Sequence, residues 1–158
     1  MTVGLVTTVL GEIEPSELGR TMMHEHLLIT FDRWARDAGI EQPPEGPAIT
    51  LANRGEIARH SSGLDHRIDD VDEAIAETRL YAEVGGGTIV DATNPDLTRD
   101  PEALRTISEA TGVHVVMGAG HYLNEHHPLD MDERSEEQLF EEMVGDVTEG
   151  ADGTSIRS

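Results

Sequence analysis

The feature that most constrains this chain is an alternation of hydrophobic period along residues 69–147. Val71, Ala74, Ile75, Thr78 and Ala82 form one stripe at helical spacing. Asp69 or Asp70 is placed to cap that helix and Gly85-Gly86-Gly87 to close it. Residues 88–93 (TIVDAT) then read as a compact β-branched strand. Asp100-Pro101 opens a second helix, with proline where no helical N–H is required, and Gly112 follows its end. Residues 113–117 (VHVVM) are a second buried-type strand. Ser135-Glu136-Glu137-Gln138 is a capping box ahead of Leu139, Phe140, Met143, Val144 and Val147. Strands alternating with amphipathic helices build βαβ units around a parallel sheet, so the fold class is α/β.

Upstream, residues 4–10 with a turn at Gly11-Glu12 read as a short β-ribbon, and residues 21–30 (TMMHEHLLIT) as an apolar run of strand length. Residues 32–67 are polar and carry Pro43, Pro44 and Pro47. They are expected to form a long loop with a little helix, inserted within an otherwise regular domain. Three parallel strands make a sheet that is neither closed nor covered, and its last helix has no further strand to return to. The pattern is that of the opening of an α/β fold.

Composition narrows the chemistry. Among 158 residues, 11 arginines and no lysine face 32 carboxylates, a formal charge of −21. Such a balance repels phosphate backbones and anionic lipid, excluding nucleic-acid and membrane partners. It fits a protein in concentrated salt, and arginine without lysine equally fits GC-rich coding. No cysteine is present, so disulfides, thiolate metal sites and cysteine nucleophiles are excluded, and a metal must be held by histidine and carboxylate. The start, MTVGLVTTVLGEIEP, shows no basic leader, and no run approaches the roughly 20 apolar residues of a membrane span, so a cytoplasmic location is expected.

His24-Glu25-His26 is the informative site. Residues two apart on a strand project from one face, so both imidazoles point together while Glu25 points away. Such a pair can bind one divalent ion and leave positions for other ligands and water. The alternative is two histidines satisfied by hydrogen bonds at a surface or in a core. Position favours the metal pair, because the C-terminal end of a first strand is where an α/β barrel keeps its chemistry. Asp91 points into a barrel or binds backbone amides. His121 and Tyr122 follow the last strand on the same rim, where a tyrosine can hydrogen-bond a substrate oxygen or simply form wall. His126-His127 reads as an exposed loop pair, and Glu136, Glu137, Glu141 and Glu142 as solvated surface. The glycine runs match no nucleotide-binding fingerprint.

The segments TVLGEIEPSELGRTMMHEHLLIT, GGGTIVDATNPDLTRDPEALRTISEATGVHVVMGAGHY and SEEQLFEEMVGDVTEGADGTSIR resemble the phosphotriesterase-like family of the amidohydrolase superfamily. The likeness covers nearly the whole chain outside residues 32–67. It implies a (β/α)8 barrel with a binuclear metal site, usually zinc, at the C-terminal strand ends. By that resemblance His24 and His26 bind the more buried metal. A carboxylated lysine or a glutamate on strand four bridges the pair, histidines on strands five and six hold the second metal, and an aspartate on strand eight completes the first. A metal-activated hydroxide attacks an ester, lactone or phosphotriester. Tyr122 falls where lactonase-like members carry a substrate-side tyrosine, which favours carboxylic esters and lactones.

The sequence stops before the segment expected to form strand four, so residues 1–158 are expected to be a partial hydrolase barrel that is inactive alone. Its chemistry would belong to a parent enzyme. The alternatives are a non-catalytic remnant, or a subunit that completes a barrel with a separately encoded C-terminal half; the partner expected is that half-barrel or, in a homo-oligomer, another copy of the chain.

Overall fold

The computed structural model describes residues 4–31, 50–55 and 67–158. The expected loop over 32–67, with its three prolines, lies almost entirely outside them. Its ends are visible: Ile29–Thr30 (β4) pairs antiparallel with Arg67–Ile68 (β5), so Thr30 and Arg67 lie side by side.

The ribbon forms from Val6–Thr8 (β1) and Gly11–Ile13 (β2), in antiparallel register with Thr8 opposite Gly11. Its turn is therefore Val9-Leu10 rather than Gly11-Glu12. Val9 is the reason, because its side chain is buried and its N–H donates to the Val115 carbonyl at 2.9 Å. Core burial moves the turn by two residues.

Arg20–Glu25 (β3), Gly86–Asp91 (β6) and His114–Met117 (β7) form one parallel sheet in that order. Two helices connect or cover them, Val71–Glu83 (α1) and Pro101–Thr111 (α2). Asp70 caps α1 by accepting from Glu73 N–H, and Asp100 caps α2 by accepting from Ala103 N–H. Gly112 ends α2 with φ of 72°, in the left-handed region that glycine enters without strain. The core lies between the sheet and these helices, built from Leu27, Leu28, Ile89, Leu104, Ile107 and Val115.

Strand boundaries differ from the sequence reading, with β6 ending at Asp91 rather than Thr93 and β7 starting at His114 rather than Val113. β6 begins at Gly86 rather than Thr88, because the glycines approach the ribbon's exit so closely that they join the ladder. A Cβ on Gly87 would stand 2.6 Å from the Leu18 carbonyl oxygen. The apolar run at 21–30 is not one strand. β3 carries a register shift between Met22 and Glu25, stops at Glu25, and its continuation turns inward at buried Leu27 and Leu28.

The last helix, Glu136–Thr148 (α3), has the expected capping box between Ser135 and Gln138 but buries no residue. Phe140 remains 62 % exposed, with Met143, Val144 and Val147 also bare. Beyond it the chain folds back: Ala151 and Ile156 enter the core, joined by an Ala151 N–H to Ile156 carbonyl bond of 2.8 Å. Among the described residues the sheet is three strands wide and unclosed.

Candidate metal centre

The parallel register brings the C-terminal ends of β3, β6 and β7 to one rim. His24 lies in β3 and His26 one residue beyond it. Their ring centroids are 5.4 Å apart at an interplanar angle of 77°. Rings on opposite faces of an extended segment would be much further apart, so the two imidazoles converge, and the strand-face expectation holds through the bulge. His24 is exposed and His26 half-buried. Among the described residues no group of three His, Asp or Glu side chains could hold an ion. Two converging imidazoles are suited to give two ligands to a divalent cation, and a complete site would need further ligands beside them.

Asp91 settles between its two alternatives. It is fully buried, with Oδ2 accepting the Leu27 N–H and Oδ1 the Thr93 N–H, each at 2.8 Å. Burial pushes its carboxyl above the ordinary aspartate value, and the bonds from Leu27 and Thr93 oppose that shift without cancelling it. The residue thus fastens the end of β3 to the segment after β6. Ala92 N–H donates to the Glu25 carbonyl at 2.8 Å and reinforces the same join. Thr93 Oγ1 lies 2.9 Å from His26 Nδ1.

The loop after β7 has a matching fastener that sequence reasoning missed. Asp96, also buried, contacts His121 Nδ1 at 3.1 Å through Oδ1 and accepts the Tyr122 N–H at 2.8 Å through Oδ2. Glu142 stands 3.6 Å from His121 Nε2 and takes a 2.8 Å bond from Arg134, so it is not merely solvated surface. His126 and His127 are half-buried rather than exposed. Aromatic stacking is the reason: the His126 ring lies 5.3 Å from both Phe31 and Tyr122, and the His127 ring 5.8 Å from His121. Phe31 follows β4 and Tyr122 follows β7, so this clasp bridges two rim loops. Tyr122 itself is 46 % exposed and belongs to this second cluster, with no bond or ring contact to His24 or His26.

Arg99 was also missed. Its side chain is wholly buried, yet it pairs with Asp146 at 2.9 Å and Asp152 at 2.8 Å and donates to the Gly118 carbonyl at 2.7 Å. Burial opposes its charge, but the two carboxylates outweigh it and hold the guanidinium more firmly protonated than usual. The arginine in RDPEAL thereby meets the aspartate in DGT and supports the strand end that leads to His121.

The phosphotriesterase family model matches residues 4–158. The chain belongs to the phosphotriesterase family. Human N-acetyltaurine hydrolase is 37% identical over 158 residues, and the zebrafish (Danio rerio) protein of that name 38% over 161 residues. Each alignment takes in 98% of this chain and 45% of the relative, so the chain spans under half the length of the relatives it matches. A resiniferatoxin-binding protein from Rhodobacter sphaeroides superposes with a TM-score of 0.84 at 38% identity, over 98% of this chain and 44% of that one. Organophosphorus hydrolase from Deinococcus radiodurans gives 0.69 at 27%, over 98% and 41%. The sheet and helices of this phosphotriesterase-family chain are thus the N-terminal part of a (β/α)8 barrel. No helix among the described residues is long and apolar enough to cross a membrane.

Proposed function

We propose that this chain carries two metal ligands of a metal-dependent hydrolase, His24 and His26, and one substrate-side residue, Tyr122. The observation that carries the reading is the convergence of the two imidazoles at the end of the first sheet strand, 5.4 Å apart. A divalent ion, zinc in the first instance, would supply Lewis acidity and an activated water at that position. Asp91 keeps the end of β3 in register with β6, and Asp96 presents the Tyr122 backbone on the opposite side of the rim.

The substrate is a small ester, lactone or phosphotriester, and the N-acyl amide named for the relatives belongs in the same panel. Tyr122, partly exposed on the rim, would donate its phenolic hydrogen to a substrate oxygen. The remaining ligands come from barrel strands that the described residues do not include, in a longer parent chain or a separate C-terminal half. These 158 residues alone are therefore expected to bind a divalent ion weakly and to turn over nothing.

The test is zinc binding and turnover of lactone, paraoxon, aryl ester and N-acetyltaurine by the 158-residue chain, alone and co-expressed with the C-terminal half of a relative. Binding lost in His24→Ala/His26→Ala, with turnover only in the reconstituted barrel, supports the reading. Turnover that survives the double substitution overturns it.

A further inference from the structure

The two rings of the metal pair have different surroundings. His24 is exposed, whereas His26 is half-buried with its Nδ1 2.9 Å from Thr93 Oγ1. Thr93 is itself fully buried and its hydroxyl donates to the Leu28 carbonyl, 3.1 Å away. A hydroxyl has one proton to give. With that proton committed, Thr93 Oγ1 can only accept from His26. If His26 carried its proton on Nε2, its Nδ1 lone pair would face an oxygen with no hydrogen to offer, and the contact with Thr93 would be no hydrogen bond. Only the Nδ1–H form satisfies both side chains, and it leaves the Nε2 lone pair free.

We infer that Thr93 is a positioning residue for His26, holding the imidazole in its Nδ1–H tautomer so that Nε2 is presented to a divalent cation. The inference rests on the metal role proposed for His26. Asp91 makes the mount rigid: its two oxygens grip the N–H of Leu27, next to the histidine, and the N–H of Thr93 itself. The spacing between ring and hydroxyl is thus set by a buried carboxylate that bonds to both backbones. A metal-bound histidine commonly owes its orientation to a partner on its other nitrogen, and loss of that partner weakens binding about 10–100-fold.

The experiment reads the tautomer first, without metal. In the ¹⁵N-labelled 158-residue chain, long-range ¹H–¹⁵N spectra assigned with His26→Gln should show Nδ1 protonated and Nε2 unprotonated. Added zinc should then shift the Nε2 resonance. Thr93→Val should mix the tautomers and weaken zinc binding about tenfold or more, while Thr93→Ser restores both. An Nε2–H tautomer in the wild-type chain overturns the inference, and so does unchanged zinc affinity in folded Thr93→Val. Should Thr93→Val fail to fold, the wild-type tautomer and the Thr93→Ser affinity still decide. Failure of the metal reading looks different: the tautomer is as stated, but zinc leaves the Nε2 resonance unmoved, and the inference falls with that reading.

Discussion

The rim has two corners, at the ends of β3 and β7, each fastened by a buried aspartate from the segment in and after β6. Asp91 serves the first and Asp96 the second. The histidines they support stand in opposite surroundings. His26 faces a hydroxyl whose proton is already spent, whereas His121 lies between the carboxylates of Asp96 and Glu142. An imidazole beside a neutral acceptor keeps a lone pair for an ion, while His121 has a carboxylate facing each of its nitrogens. The second corner is also braced by Arg99, with two acidic partners, and by the ring clasp of Phe31, Tyr122 and His126. On the metal role proposed for His26, histidines at equivalent strand ends divide into a ligand and a brace according to what their other nitrogen meets.

The sharpest attempt to break this division is Arg99→Met, which takes the shared buried cation from half-buried Asp146 and exposed Asp152. Urea denaturation should show a loss of about 3–5 kcal/mol, the usual result of removing one side of a buried ion pair. In variant that remains folded, the His26 resonances should stay in place. Asp91→Ala attacks the first corner and leaves the Leu27 and Thr93 N–H groups without their acceptor. It should destabilise by about 1–3 kcal/mol and, unlike the arginine change, weaken zinc binding at His26.

Asp91 also gives the comparison a pH dependence. Burial holds its carboxyl above the unfolded value, so the fold favours the protonated form. Its contribution is fully present below the unfolded carboxylate pKa and is lost as pH rises through the raised folded value. Asp91→Asn should remove that acid-range slope from denaturation measured across pH, and an unchanged slope would refute the assignment. Tyr122→Phe, made in a complete barrel reconstituted with a relative's C-terminal half, should lower lactone kcat/KM about tenfold, or ~1.4 kcal/mol in the barrier. The smallest effect belongs to Glu142→Gln. Its pairs are partly exposed, so stability should change by less than about 1 kcal/mol, with zinc affinity untouched. A loss of zinc binding there would place His121 among the ligands and erase the contrast.

Local chemistry was readable from the chain. Asp70, Asp100 and Ser135 cap helices because each side chain reaches an N–H three residues ahead, and neighbours in sequence suffice to show it. The pairing of His24 with His26 was readable for the same reason. The turn at Val9-Leu10 was not, because a contact with Val115 chose it. Helix α3 shows the reverse case, since its capping box and apolar stripe predict a packed helix, yet Phe140 stays bare where no described element covers it.

By itself, then, the amino-acid order determined the α/β class, the helix starts, the family and the two adjacent imidazoles. The class, the helix starts and the imidazole pair depend on periodicity, capping and short spacing, which act within a few residues, whereas the family was legible only as a resemblance of whole segments. The tertiary structure alone decided what each polar side chain is for. Asp91 reaches Leu27 across 64 positions, Thr93 meets His26 across 67, and Arg99 finds Asp152 across 53. A buried polar group must take whatever partner the packed sheet brings to it, and no local rule names that partner in advance.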